Sequence, residues 1–207
     1  MKGKFITFEG CEGVGKSHQI KYLEEYLKNQ GIKYYLTREP GGSEIAEQIR
    51  KIILDGKNTA MTDECEALLY AAARVQHLDE IVKPKLEAGI LVLCDRYVDS
   101  SLAYQGFGRG LGEEFIKSIN DYALENFMPD ATLFLDLEPE KAFLRKGGAD
   151  KKDRLELSGI EFHKKVYNGY VSLTKEYPDR IIRIDASGTK NQTHEKIIDA
   201  LKKKGII

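Results

Sequence analysis

Several features that mark other protein classes are scarce or missing in this sequence. There is no tryptophan, proline occurs five times, and the three cysteines (Cys11, Cys65 and Cys94) lie far apart without a C-x-x-C pair. This pattern argues against a disulfide framework or a zinc site and predicts free thiols in a reducing compartment. No apolar run approaches the length of a membrane span, and a predicted strand from residue 4 leaves no room for a signal peptide. We therefore expect a cytoplasmic protein without a membrane partner.

The sequence also lacks an excess of charge of either sign. Its 32 lysines and arginines nearly balance 33 aspartates and glutamates, which gives a formal net charge of −1. Nucleic-acid-binding proteins generally carry a basic excess, so we expect no nucleic-acid partner, and any anion site must be built locally. With 207 residues, of which 42% are hydrophobic, the chain is predicted to form one α/β domain over residues 1–207.

A glycine-rich segment near the start has the spacing of a phosphate-binding loop. The run GCEGVGKS at 10–17 fits G-x-x-x-x-G-K-S, follows the β-prone run at 5–9, and precedes apolar residues at helical spacing. Backbone N–H groups would surround the phosphates, Lys16 would reach the β- and γ-phosphates, and the Ser17 hydroxyl would bind Mg²⁺. A chance glycine turn is the alternative. The predicted nucleotide-binding residues are Gly10, Cys11, Glu12, Gly13, Val14, Gly15, Lys16 and Ser17.

Five β-prone runs are each followed by a helical pattern. They are 4–9, 34–37, 90–94, 131–137 and 180–185. This alternation predicts a five-stranded parallel sheet flanked by helices, the three-layer α/β fold of P-loop NTPases. Because ligands of such sheets lie beyond the carboxyl ends of the strands, the residues that follow each strand are the candidate site.

Charged residues follow the second and third predicted strands. Arg38 begins an R-E-P-G-G turn and is predicted to bind a phosphoryl group; a solvated arginine on a surface turn is the alternative. Asp95 is predicted to bind magnesium or to position the acceptor, and Arg96 to neutralise charge on the transferred phosphoryl group. An ordinary ion pair between Asp95 and Arg96 is the alternative there.

The predicted helix at 63–83 presents two faces. One is expected to be a buried apolar stripe, formed by Leu68, Ala72, Val75 and Val82. The other carries Glu66, Tyr70, Arg74 and His77. An aromatic ring and an arginine one turn apart could stack on a planar base and bind its edge, with a solvated face as the alternative. His77 is expected to be structural.

Two further segments complete the candidate site. The segment after the third strand supplies four polar side chains that could contact a nucleoside, namely Ser100, Ser101, Tyr104 and Gln105; an ordinary polar loop and helix start is the alternative. The segment Arg145–Arg154 carries five cations and two carboxylates around a glycine pair, which predicts a basic lid at about 145–157 that would exclude water. A solvated run of charges is the alternative. Nothing in the sequence explains why Glu12 is tolerated beside phosphates.

Taken together, these segments resemble bacterial-type thymidylate kinases, a family of P-loop nucleoside monophosphate kinases. The resemblance spans nearly the whole chain, and its R-E-P-G-G and D-R-Y…A-Y-Q-G segments are specific to that family. It rests on residues 8–17, 37–42, 69–74 with His77, 95–97, 100–101, 103–106 and 153–156. It implies transfer of the γ-phosphoryl group of ATP to dTMP with Mg²⁺, in a homodimer.

The resemblance also implies roles for individual residues. Tyr70 would lie against thymine, Tyr104 would pack beneath the sugar, and Arg145 would flank adenine. The implied catalytic residues are Lys16, Arg38, Asp95, Arg96 and Arg154. The implied substrate-binding residues are Glu9, Arg38, Tyr70, Arg74, Arg96, Ser101, Tyr104 and Gln105. The implied metal ligands are Ser17 and Asp95.

Other functions remain open on sequence alone. A kinase of the same fold could use another nucleoside monophosphate or a deoxynucleoside as its acceptor. A nucleotide-binding switch is a second alternative, although the sequence has no N-K-x-D segment for reading guanine. An inert relative that only binds nucleotide is a third.

Overall fold

A computed structural model describes residues 3–145, 155 and 158–207 of the chain. Its five strands form one parallel sheet in the order β2-β3-β1-β4-β5. Their bounds are β1 (Phe5–Glu9), β2 (Tyr34–Arg38), β3 (Leu91–Asp95), β4 (Ala131–Asp136) and β5 (Ile181–Asp185). All five predicted strands are confirmed, with ends that differ by one residue.

Helices alternate with the strands. Within the described ranges they are α1 (Lys16–Asn29), α2 (Glu44–Leu54), α3 (Asp63–His77), α4 (Lys83–Glu87), α5 (Val98–Ser101), α6 (Glu113–Ser118), α7 (Asp121–Asn126), α8 (Pro139–Arg145), α9 (Gly159–Glu176) and α10 (Lys190–Lys203). Two π-helical segments, Leu78–Val82 and Leu102–Gly108, continue directly from α3 and α5.

Two hydrophobic clusters hold the layers together. On β1, Ile6 and Phe8 belong to the larger cluster, whereas Phe5 belongs to the smaller one. This division follows from the strand period of two, which sends successive side chains to opposite faces. The predicted α/β fold is confirmed. None of the helices in the described ranges is long and apolar enough to cross a membrane.

The two faces of α3 are the reverse of the sequence expectation. Leu68 and Val75, which were expected to be buried, are 51% and 38% exposed, and Ala72 is exposed as well. Of the expected stripe only Val82 is buried. The polar face of α3 instead packs inward, because its side chains find buried hydrogen-bond partners that the sequence pattern does not reveal.

Candidate active site

A cavity of about 310 Å³ opens at the carboxyl ends of β1, β2 and β3. Its walls come from the phosphate loop, the end of β2, α3, and the segment after β3. The predicted residues that line it are Glu12, Lys16, Ser17, Arg38, Tyr70, Arg74, Asp95, Arg96, Ser100, Ser101, Tyr104 and Gln105. The fold therefore brings most of the predicted site residues around one space.

Glycines allow the phosphate loop to turn tightly between β1 and α1. Gly10 and Gly13 have φ values of 137° and 79°, which L-residues rarely adopt. A Cβ on Gly13 would lie 2.5 Å from the carbonyl oxygen of Ala142, and one on Gly10 would lie 2.8 Å from that of Leu135. Both positions thus require glycine for conformation and for space, and the loop ends at the N-terminus of α1.

Lys16 is the first residue of α1 and is buried. Its Nζ donates to the carbonyl oxygen of Gly10 at 3.2 Å. Burial, and secondarily the nearby Arg96, lower the pKa of the Lys16 ammonium. An anionic ligand in the loop would counter both effects, so the site favours binding of a polyphosphate.

Asp95 ends β3 and lines the cavity together with Ser17. The Oδ1 atom of Asp95 is buried and has no hydrogen-bond partner in the part of the chain that the structure describes. A buried carboxylate oxygen without a donor is suited to a hard cation. These two residues therefore fit the oxygen-ligand chemistry of Mg²⁺. The described residues contain no cluster of three or more His, Cys, Asp or Glu that could hold a metal on its own.

Glu9 ends β1 and is fully buried. Its carboxylate accepts hydrogen bonds from the Tyr97 amide at 2.8 Å, from the Ser100 hydroxyl at 2.6 Å and from the Tyr170 hydroxyl at 2.7 Å. Burial, reinforced by the charge of Asp99, raises the pKa of Glu9 to about 7. Glu9 can therefore change its protonation state near neutral pH, at the junction between the phosphate loop and the segment after β3.

Arg96 adopts a left-handed backbone conformation, with φ of 71°. Its guanidinium donates to the carbonyl oxygen of Gly10 at 3.1 Å, to the Tyr104 hydroxyl at 3.2 Å and, in a very close contact, to the Glu12 carboxylate. Within the described residues the ion pair of Arg96 forms with Glu12, and not with Asp95. Glu12 is thus tolerated in the phosphate loop because the half-buried Arg96 neutralises it.

Arg74 projects from α3 and is held on three sides. Its Nε donates to Glu39 Oε2 at 2.7 Å, its Nη2 donates to Ser101 Oγ at 3.1 Å, and its Nη1 donates to Asn120 Oδ1. His77 completes the network, since its Nδ1 lies 3.0 Å from Glu39 Oε1. All these side chains are buried, so the solvated-face alternative for α3 is wrong, and His77 has the structural role predicted for it.

Gln105 and Tyr104 lie on the π-helical segment that continues α5. The Nε2 of Gln105 donates to Glu66 Oε1 at 2.8 Å, which connects this segment to α3. The ring of Tyr104 lies under the guanidinium of Arg96, 5.0 Å from ring centroid to Cζ. Tyr70 lines the same cavity from α3 and is buried.

Arg38 and Arg145 are more exposed than Arg74 and Arg96, and both hydrogen-bond to other parts of the chain. Arg38 Nη2 donates to both carboxylate oxygens of Glu47, at 2.8 and 2.9 Å. At the end of α8, Arg145 donates to the carbonyl oxygens of Ala186 and Ser187, each at 2.7 Å, in the loop after β5. Arg154 and the rest of the predicted lid at 145–157, apart from Arg145 and Leu155, lie outside the described residues.

Several residues at this site were not predicted from the sequence. Arg50 lines the cavity and donates to the carbonyl oxygen of Pro40 at 2.8 Å, so a further cation lies near the turn after β2. Asn120 and Tyr170 reach the site from distant parts of the chain, and no local motif marks either one. Glu39 could have been found from the sequence, because it lies inside the R-E-P-G-G segment that was already singled out.

The fold and this site define the class of the protein. A parallel sheet in this order, with a G-x-x-x-x-G-K-S loop between β1 and α1 and a buried lysine in it, is that of a P-loop NTPase. Comparison with known proteins then identifies the family. The family model described as "Thymidylate kinase" matches residues 8–197, and the chain belongs to that family.

Curated and solved relatives agree with this assignment. The chain is 48% identical over 203 residues to a thymidylate kinase of Thermoanaerobacter sp. (strain X514), covering 98% of this chain and 99% of that protein. It is 47% identical to a thymidylate kinase of Bacillus pumilus (strain SAFR-032), with both chains fully covered. The crystal structure of thymidylate kinase from Ehrlichia chaffeensis has a TM-score of 0.77 and 31% identity, and the match covers 98% of this chain and 99% of that one.

Proposed function

We propose that this chain transfers the γ-phosphoryl group of ATP to dTMP and releases ADP and dTDP. One observation carries the proposal: a single cavity contains both the phosphate-loop lysine Lys16 and the buried guanidinium of Arg74. A phosphoryl donor and a nucleotide acceptor can therefore meet in one cavity. The thymidylate kinases to which the chain is similar support dTMP as that acceptor.

The chemistry of Arg74 favours a base that presents a carbonyl oxygen. A guanidinium only donates hydrogen bonds, and three of its donor positions are taken by Glu39, Asn120 and Ser101. A base edge that faces the remaining donors must accept a hydrogen bond. The O4 atom of thymine does so, whereas the 4-amino group of cytosine does not. Tyr70 offers an aromatic surface for the ring on the same helix.

Transfer would proceed by positioning and by charge neutralisation. The phosphate loop and Lys16 would hold the donor phosphates, while Arg38 and Arg96 would hold the acceptor phosphate in line with them. Glu9 would organise the acceptor side through Ser100. Mg²⁺ bound by Ser17 and Asp95 would neutralise charge on the phosphate oxygens. Arg145 would flank adenine, and Arg154 would act from the lid at about 145–157 of the single domain 1–207.

The chain is also proposed to act as a homodimer in the cytoplasm. Large apolar side chains are exposed on the packed pair α2 and α3, namely Ile45, Ile52, Leu68 and Val75. A second copy would cover this surface, and the free thiols suit a reducing compartment. Light scattering should give about twice the 23.4 kDa chain mass. A single-chain mass at micromolar concentration would contradict the dimer.

The test of the reaction is acceptor-dependent release of ADP from Mg-ATP. The panel contains dTMP, dUMP, UMP, dCMP, AMP, GMP and thymidine. Strong preference for dTMP is the expected result. Preference for another acceptor would keep the phosphate-loop assignment and overturn the base site. ADP release that needs no acceptor would favour a nucleotide switch, and tight ATP binding without turnover would favour an inert binder.

A further inference from the structure

We propose that Glu66 is a positioning residue that fixes the side-chain amide of Gln105, so that the base site selects a pyrimidine with an N–H group at ring position 3. This inference rests on the proposed function, since it assumes that the base of the acceptor lies between Arg74 and Gln105. It concerns a residue of α3 that does not line the cavity described above. Glu66 would therefore act on the base only through Gln105.

The contact between Glu66 and Gln105 determines which way the amide faces. Gln105 Nε2 lies 2.8 Å from Glu66 Oε1, and both side chains are buried, with 1% or less exposed. A carboxylate only accepts hydrogen bonds, whereas an amide has one donating and one accepting end. The donating end of Gln105 must therefore face Glu66, and the opposite orientation would place two acceptors against each other.

Arg109 holds the Glu66 carboxylate in place. Its Nη2 lies 3.1 Å from Glu66 Oε2, and its guanidinium packs on the ring of Phe162 at 4.8 Å. A buried carboxylate requires such a cation because its desolvation is otherwise unfavourable. Asp63, one turn earlier on α3, also pairs with Arg109 at 3.2 Å. The orientation of the Gln105 amide thus depends on the ion pairs that Arg109 forms with Glu66 and Asp63.

The accepting end of Gln105 is consequently presented to the ligand. No donor in residues 3–145, 155 and 158–207 contacts Gln105 Oε1, and Gln105 lines the same cavity as Arg74. Together the two side chains present one hydrogen-bond acceptor, from Gln105, beside the donors of the Arg74 guanidinium. Thymine and uracil carry the matching pattern, an N3–H donor beside the O4 acceptor. Cytosine carries the reverse pattern, an N3 acceptor beside an amino group.

The test compares dTMP with 3-deaza-dTMP, in which a C–H group replaces N3–H. In the wild type, kcat/KM for dTMP should exceed that for the analogue by roughly tenfold or more, because the analogue leaves a buried acceptor unpaired. In Glu66→Gln the amide at position 66 can accept as well as donate, so Gln105 can rotate. That ratio should then fall by about tenfold, while the KM for ATP stays unchanged.

Asp63→Asn is the matched control. It removes a second carboxylate from Arg109 on the same helix but does not contact Gln105, so the ratio should stay at the wild-type value. Glu66→Asp is the companion variant if Glu66→Gln does not fold, since it keeps the charge but is too short for the same contact; it should also lower the ratio.

Each result decides the inference. A wild-type ratio near one overturns it without any variant, and so does a ratio that Glu66→Gln or Glu66→Asp leaves unchanged. An equal fall in Asp63→Asn would assign the effect to Arg109 alone and would also overturn it. Failure of the proposed function is distinguishable, because dTMP itself would then not be phosphorylated by the wild type.

Discussion

The base side and the phosphate side of the cavity are built in different ways. On the base side, Arg74 has three buried polar partners, which come from the turn after β2, from α5 and from the turn before α7. On the phosphate side, Lys16 donates to one backbone carbonyl, and burial lowers its pKa. The protein itself therefore fixes the geometry that would read the base, whereas the phosphate side gains its full charge complement only with an anion in the loop. Variants on the two sides should fail in different ways.

The largest expected effect is on the phosphate side. Lys16→Ala should lower kcat by about a thousandfold, because it removes a cation from the charge that develops in phosphoryl transfer. Its dTMP binding, measured by calorimetry, should change little. Lys21→Ala, an exposed lysine of the same helix, serves as the control and should retain activity. Unchanged kcat and KM in Lys16→Ala would remove the loop from the mechanism.

A pH effect is expected at Glu9, which lies between the two sides. Its pKa of about 7 in the folded chain lies above the ordinary value of 4.5, so the folded chain retains a proton that the unfolded chain releases. The raised pKa of Glu9 contributes to the free energy of unfolding in full below pH 4.5. This contribution, about 3 kcal/mol, is lost as the pH rises to about 7.

Urea unfolding of the wild type and of Glu9→Gln at several pH values checks this effect. The wild type should lose stability relative to Glu9→Gln between pH 4.5 and 7 and should lose no more above that range. A difference between the two proteins that is constant across pH 4.5–8 would show that Glu9 titrates normally.

The base side should respond selectively to loss of Arg74. Arg74→Ala should raise the KM for dTMP by about a hundredfold and leave the KM for ATP nearly unchanged, because it removes a donor and leaves the Glu39 carboxylate buried without its cation. Arg183→Ala, an exposed arginine of β5, is the control. Equal losses of affinity for both nucleotides would remove the distinction between the two sides.

The smallest expected effect distinguishes the role of the Arg96 side chain from the role of its backbone conformation. Both Arg96→Ala and Arg96→Gly should lose most activity, since each removes the side chain. Arg96→Gly should nevertheless be more stable than Arg96→Ala by about 1 kcal/mol, because a φ of 71° suits glycine and strains alanine. Thermal unfolding of the two variants measures this, and equal stability would mean that the backbone is not strained here.

The sequence predicted correctly those features that depend on residues close together in the chain. The strands and the loop at 10–17 were predicted because strand hydrophobicity and glycine spacing are visible within a few residues. The faces of α3 were assigned wrongly, because burial of its polar face depends on partners far along the chain. Glu39 lies 35 residues from Arg74 and Arg96 lies 84 residues from Glu12, and no spacing rule joins such pairs.

The π-helical segment Leu78–Val82, directly after α3, determines where this part of the chain can tolerate the deletion of a residue. A single-residue deletion between Glu66 and Arg74 would rotate one part of α3 by about 100° relative to the other, so Glu66, Tyr70 and Arg74 could no longer share one face. A π-helical turn is an α-helix that has accommodated one additional residue. The same deletion within Leu78–Val82 would only return that turn to ordinary helix. Single-residue deletions among descendants of this sequence should therefore be accepted within Leu78–Val82 and rejected between Glu66 and Arg74.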